Sequence, residues 1–266
     1  MNDGNRALKQ GPTGGTKPKA VLPLFFKRIE ALDSGRHRAL RRRPRASYRF
    51  ALGTNAIPLA FSEIAKAAQE YPVVFAGEGE AMHLVALVGL TADNNLFVGA
   101  EGEWQGRYLP AYLRNYPFAF ARVPRQAPGT YTVAIDPESS ELSRHEGSLL
   151  FTDSGAHTPF LTQSIEFLRH YDAQCEQSRK FANRVAALGL LQAVNANVRL
   201  ISGKQYALSG LRVVDRNVLK ALPVAARMEL YDAEWLEPIY HHLASLQTFS
   251  QLVDRLALRS AAVAPA

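Results

Sequence analysis

Residues 71–100 read YPVVFAGEGEAMHLVALVGLTADNNLFVGA. The apolar runs in this stretch are short, rich in Val, and interrupted by Gly, Asp and Asn. Runs of about four to eight such residues between turn formers are the pattern of strands in a sheet. YPVVFA, HLVALVGL and NNLFVGA therefore predict three successive strands. The longest of them, Leu84 to Leu90, falls far short of the ~20 apolar residues needed to cross a bilayer. This part of the chain thus predicts a meandering antiparallel sheet.

Working outward, residues 58–71 predict a helix. Ser62 is its N-cap, Ile64, Ala65, Ala68 and Tyr71 form its apolar face, and Pro72 stops it. Downstream, residues 101–120 read EGEWQGRYLPAYLRNYPFAF. Trp104, Tyr108 and Tyr112 recur every four residues, which predicts a short helical turn from Tyr108 to Asn115 between extended flanks. TYTVAID and LLFTDSG predict two more strands. After that the period turns helical. Thr158-Pro159 is an N-cap with proline at the first helical position. Leu161, Ile165, Leu168 and Cys175 form one stripe, and Phe181, Val185 and Leu188 continue a second, ended at Gly189. Two short strands, Val198–Ile201 and Tyr206–Val213, predict a hairpin. Asp215 caps a following helix, and a last long helix carries Ile239, Leu243, Leu246, Val253 and Leu256 on one face. The fold class is α+β. A β-rich part spans 20–157, and a mostly helical part with a short hairpin spans 158–260, the two packed as one continuous domain. Residues 1–19, rich in Gly, Pro, Lys and Thr, predict a disordered basic tail.

A chain of 266 residues with 47% hydrophobic and 21% charged residues can bury a substantial core. One cysteine excludes a disulfide framework and a cysteine-rich metal site. The start carries no apolar core of signal-peptide length, so a cytoplasmic, bacterial-style protein is expected. The formal charge of +7 is concentrated near the N-terminus. Between Lys27 and Arg49 stand nine basic residues and two acids, among them Arg36, Arg38, Arg41, Arg42, Arg43 and Arg45. Such a run is either a solvated charged edge or a contact with RNA, DNA or an anionic membrane surface. Only Tyr48 accompanies it as a stacking aromatic, so it lacks the interleaving of a single-strand binder.

Enzyme signatures fail when tested. Gly77-Glu78-Gly79 lacks the third glycine of a dinucleotide loop. Gly203-Lys204 lacks the upstream glycine of a phosphate loop. There is no Gly-x-Ser-x-Gly elbow and no zincin helix. No metal or cofactor is called for. Cys175 sits on an apolar stripe and reads as an inert buried thiol. His241-His242 is the only histidine cluster, and adjacent helical positions point about 100° apart, which disfavours joint metal ligation. One of the two reads as a hydrogen-bonded core residue, with catalysis as the alternative. Asp93, Glu101 and Glu103 read as turn carboxylates, with an acid–base pair as the alternative.

The aromatic stretch also has two readings. It is a core latch between sheet and helices, or it is a recognition surface in which Tyr and Trp give contact area at low entropy cost and Arg stacks on their faces. On the second reading Trp104, Arg107, Tyr108, Tyr112, Arg114 and Tyr116, with His242, hold a ligand or partner.

Several words of the chain resemble the SapC family of bacterial proteins. They are Ile57-Pro58-Leu59 with Glu63, Tyr71-Pro-Val-Val-Phe75, and Gly89-Leu90 with Asn95-Leu-Phe97. The run Gly102-x-Trp104-x-x-x-Tyr108-x-Pro110 into Arg114-x-Tyr116-Pro-Phe118 and the word His242-Leu-x-Ser-Leu246 complete the set. The resemblance covers about Leu22 to Leu256. It implies an accessory role in handling a peptide, a surface-layer polymer or an imported nutrient, beside TonB-dependent receptors, flavin-dependent halogenase-like proteins and cupin-type oxygenases. It carries no catalytic residues. The resulting expectation is a non-enzymatic binding protein with a peptide or protein partner and no membrane span. One alternative is an enzyme in which a histidine converges with a carboxylate such as Glu63 or Glu101. The other is nucleic-acid binding through the basic segment.

Overall fold

A computed structural model describes residues 22–122, 131–200 and 203–263. The basic tail expected at 1–19 lies outside them. The strands in chain order are β1 (Glu30–Ala31), β2 (Arg41–Arg42), β3 (Ala56–Pro58), β4 (Val73–Ala76), β5 (His83–Leu87), β6 (Phe118–Arg122), β7 (Tyr131–Ile135), β8 (Leu142–Ser143), β9 (Ser148–Leu149), β10 (Leu191–Arg199) and β11 (Gln205–Val214). The helices are α1 (Ile64–Ala67), α2 (Ala111–Asn115), α3 (Pro159–Ala187), α4 (Arg216–Ala221), α5 (Val224–Asp232), α6 (Leu236–Ser245) and α7 (Phe249–Val263).

The main sheet has five antiparallel strands in the order β10-β11-β4-β5-β3. Val73, Val74 and Phe75 in β4 and Leu84 to Leu87 in β5 are buried on both faces. Strands covered on both sides read as continuous apolar runs rather than alternating ones, which is why their sequence is so legible. Two smaller three-stranded sheets, β1-β7-β6 and β8-β2-β9, lie outside the main one.

Helix α3 joins these parts. Thr158 Oγ1 accepts from the Leu161 N–H, and Pro159 opens the first turn. Its 29 residues span about 43 Å. Leu161, Ile165 and Leu168 pack into a core cluster with Phe118, Ile135, Leu150 and Phe151. Phe181, Ala182 and Val185 enter the main core instead. Gly189 follows the helix at φ 69°, a left-handed C-terminal stop that glycine adopts without penalty. Asp215 caps α4 by accepting from the Asn217 and Val218 N–H groups.

Several expectations are corrected. The helix expected over 58–71 is a 3-10 turn, Phe61–Glu63, followed by the four-residue α1, because Pro58 belongs to β3. NNLFVGA is not a strand. The Asn95 side chain takes over local pairing, accepting from the Phe97 N–H and donating to the Ala51 carbonyl. Gly89 lets that loop pass, since a Cβ there would lie 1.6 Å from the Asn94 oxygen. The expected short hairpin is longer, and it is not confined to the helical half. Leu211 and Arg212 pair with Ala76 and Phe75, so β10 and β11 extend the main sheet and strands occur in both halves. The last long helix is two, α6 and α7, separated by a 3-10 turn at Leu246–Thr248.

Candidate functional site

The aromatic stretch is held from behind by buried carboxylates. Glu63 ends the Phe61–Glu63 turn and is 4% exposed. Its Oε2 accepts from the Ala60 N–H at 2.9 Å. Its Oε1 accepts from the Tyr108 hydroxyl and from the Ala111 N–H, both at 2.6 Å. Glu70, 8% exposed, accepts from the Arg107 N–H at 2.9 Å and the Tyr108 N–H at 2.8 Å. Asp136 accepts from the Tyr116 hydroxyl and from the Lys27 N–H, both at 3.0 Å. Glu141 joins Arg42 and Arg45 at 2.6 Å each. Arg45 in turn donates to the Leu113 and Tyr116 carbonyls, closing the C-terminal end of α2. Hydrogen bonds to ionised groups contribute roughly 1.5–3 kcal/mol each, so this lattice fixes α2 firmly although the helix has only five residues.

Most of the rings serve packing. Trp104 stacks on Phe97 at 5.8 Å, and its Nε1–H donates to the Tyr108 carbonyl at 3.1 Å. Tyr116 stacks on Phe50 at 4.3 Å, and burial pushes its hydroxyl up to about 12. Tyr112 meets Phe25 and Tyr171 edge to face, donates to the Leu24 carbonyl, and is likewise pushed up to about 12 by burial. Burial, then the Glu63 carboxylate, pushes the Tyr108 hydroxyl up. These phenols stay protonated and donate.

The open side of the stretch faces α3 and is concave. A cavity of about 350 Å³ is lined by Glu63, Lys66, Tyr108, Arg114, Phe167, His170 and Gln174. A second of about 270 Å³ is lined by Arg42, Arg114, Asn115, Phe118, Phe160, Gln163, Ser164 and Phe167. A third of about 180 Å³ includes Tyr112, Asn115, Tyr116, Phe118 and Tyr171. Arg114 lies between the first two. Its guanidinium stacks over Phe167 at 4.9 Å, and its Nη2 is 3.9 Å from Glu63. A larger concavity of about 540 Å³ lies beside α7, but three arginines on its wall are committed to the protein itself. Arg49, Arg255 and Arg259 donate there to the carbonyls of Ala100, Gln105 and Val98.

The structure brings Tyr108, Tyr112, Arg114 and Tyr116 to this groove and leaves others out. Trp104 is in the packed layer behind it. Arg107 is exposed, and its backbone N–H donates to Glu70. His242 is 0% exposed. Its Nδ1–H donates to the Val73 carbonyl at 2.6 Å, and its Nε2 accepts from the Val214 N–H at 3.0 Å. Ser245 Oγ accepts from the Val73 N–H at 2.9 Å. The His-Leu-x-Ser word therefore clips α6 to β4 and β11, and burial pushes the imidazole down to about 4.

In the basic segment, Arg42 and Arg45 share Glu141, Arg43 meets Glu146 at 3.2 Å, and Arg36 meets Glu30 at 2.9 Å. Arg41 donates to the Gly147 carbonyl, and Arg38 is exposed. Two acids distant in sequence, Glu141 and Glu146, thus engage three arginines of the run. Cys175 is half-buried, and burial pushes its thiol up to about 11. Glu101 and Glu103 are exposed, and Glu103 accepts from the Gln105 amide. Among the described residues no group of three or more His, Cys, Asp or Glu could hold a metal ion.

Sequence reasoning missed Phe160, Gln163, Ser164, Phe167, His170 and Asn115. The signal for four of them was present. Positions 160, 163, 164 and 167 have the i, i+3, i+4, i+7 spacing of one helix face, beside the core stripe at 161, 165 and 168.

An α+β protein with a pinned aromatic segment facing a long helix is thus defined, and no described helix is long and apolar enough to cross a membrane. The SapC family model matches residues 32–252, and the chain belongs to the SapC family. Neither the curated proteins nor the solved structures contain a match to the chain.

Proposed function

We propose that this SapC-family protein is a non-enzymatic accessory protein of the bacterial cytoplasm that holds a peptide, or a segment of a partner protein, in the groove between α2 and α3. One observation carries the reading. The concave side of the pinned aromatic stretch is walled by Tyr108, Arg114 and Phe167, while the carboxylate beneath, Glu63, already accepts three hydrogen bonds. A rigid aromatic wall with an accessible stacked guanidinium suits recognition, since it gives contact area without ordering cost. A carboxylate so saturated is poorly placed to take a proton from a substrate.

The test is to pan a displayed random-peptide library on the wild-type protein and on Gln174→Trp, which fills the 350 Å³ cavity from an α3 rim position. A peptide consensus enriched on wild type and absent on the variant supports the groove. Failure to enrich any consensus on wild type overturns it.

An enzymatic role is the second reading, and His170 and Glu63 on one cavity are what favour it. Its test is turnover of a candidate substrate with an oxygenase or flavin-dependent halogenase-like enzyme present. Loss in His170→Gln with binding retained would support it.

A further inference from the structure

Asn115, the last residue of α2, carries a side-chain donor left without an acceptor among the described residues. It is 7% exposed, and its amide Nδ2 has no hydrogen-bond partner. Buried donors are nearly always satisfied, and an exception signals a missing acceptor. Asn115 lines the 270 Å³ cavity with Arg42 and Arg114. Among the described residues Arg42 and Arg45 share the single carboxylate of Glu141, and Arg114 has Glu63 at 3.9 Å. Arg114 is the more accessible of the two arginines that line the cavity. It is 42% exposed and stands beyond hydrogen-bond distance of Glu63. The rest of the wall is aromatic, from Phe118, Phe160 and Phe167.

We infer that this cavity binds a carboxylate borne on a flat apolar body, the free C-terminal residue of a peptide ending in an aromatic or large aliphatic side chain. The carboxylate takes the Arg114 guanidinium, and a turn of the Asn115 side chain brings its enclosed, unpartnered amide to the same acceptor. The apolar side chain lies among the three phenylalanines. The volume is just below the roughly 300–1,000 Å³ typical of pockets for drug-sized ligands, so one terminal residue fills it. Bidentate pairing of a guanidinium with a carboxylate gives the geometric specificity. The inference rests on the groove reading above and names the end of the peptide that the groove takes.

Fluorescence polarisation with a labelled pentapeptide ending in phenylalanine tests it, against the same peptide as C-terminal amide and against unlabelled N-acetylphenylalanine as competitor. Full-length wild type, Arg114→Gln and the cavity-filling Ser164→Phe are compared after circular dichroism shows that they fold. The expected result is binding of the free acid at least tenfold tighter than the amide, with the difference lost in Arg114→Gln and binding lost in Ser164→Phe. Equal binding of acid and amide, both lost in Ser164→Phe, overturns the carboxylate inference while sparing the groove. Displacement by N-acetylphenylalanine supports the carboxylate site. Binding of that competitor alone, followed by its own fluorescence or calorimetry, keeps the site for a small acid and overturns the peptide inference. Binding of none of the three probes at millimolar concentration overturns the inference entirely.

Discussion

The Tyr108 hydroxyl donates to Glu63 Oε1 at 2.6 Å, across 45 residues of sequence, and the Ala111 N–H donates to the same oxygen. That single carboxylate oxygen ties the turn before α1 to the first residue of α2. The groove owes its shape to this connection, because α2 is too short to hold itself.

Removing the tie should therefore be costly. Glu63→Ala leaves the Ala60 and Ala111 N–H groups without acceptors and is expected to lower unfolding free energy by about 3 kcal/mol. Tyr108→Phe removes one donor only and should cost about 1–2 kcal/mol. Urea unfolding followed by circular dichroism checks both values.

Arg45 is expected to matter as much. Its side chain is almost fully buried, meets Glu141 at 2.6 Å, and donates to two carbonyls at the end of α2. Breaking a buried ion pair from one side typically costs about 3–5 kcal/mol, so Arg45→Ala should fall in that range. Arg45→Lys should recover little of it, because an ammonium cannot reproduce the planar fork. The same denaturant measurement distinguishes the two variants. Arg38→Ala, at an exposed position, should change stability by less than about 0.5 kcal/mol.

His242 sets an acid limit on stability. Burial pushes its imidazole down to about 4, whereas an unfolded histidine titrates near 6.5. Above 6.5 both states are neutral and the full contribution is present. As pH falls from about 6.5 to about 4, the unfolded chain binds a proton that the fold refuses. Stability should then decline by up to ~1.4 kcal/mol per pH unit, about 3 kcal/mol across the window. Melting temperatures from pH 8 to pH 4 measure it, and in His242→Gln this component of the slope should disappear.

The Cys175 thiol, pushed up to about 11, should be sluggish. Its reaction with an aromatic disulfide reagent at pH 8 should be at least ~100-fold slower than that of free cysteine, because thiolate is the reacting form. Denaturant should restore the ordinary rate.

Much of the framework was legible in local chemistry. Thr158-Pro159, Gly189 and Asp215 mark helix ends by capping rules that need no tertiary information, and the structure has those ends. The apolar runs of β4 and β5 were legible because the fold buries both faces of those strands. NNLFVGA misled because its composition is that of a strand, while the Asn95 side chain competes with the ladder for backbone partners. The pairing of Leu211 with Ala76 could not be read, since nothing local encodes a register across 135 residues.

The candidate site was half legible. The density of aromatics at 101–120 pointed to the segment that lines the proposed groove, but which rings pack and which face α3 depends on Glu63, Glu70 and Asp136, whose partners in that stretch lie 20 to 48 residues away. The pairing of the basic run was hidden for the same reason. Glu141 and Glu146, about a hundred residues downstream, neutralise arginines that look free in one dimension.

Hydrogen–deuterium exchange of the full-length protein, alone and saturated with a peptide enriched on the wild type, tests the groove most directly. The account predicts added protection confined to residues 108–118 and 160–174, the two walls of the groove. Protection that appears instead in the β10–β11 hairpin or in α5, with none in those two segments, would contradict it.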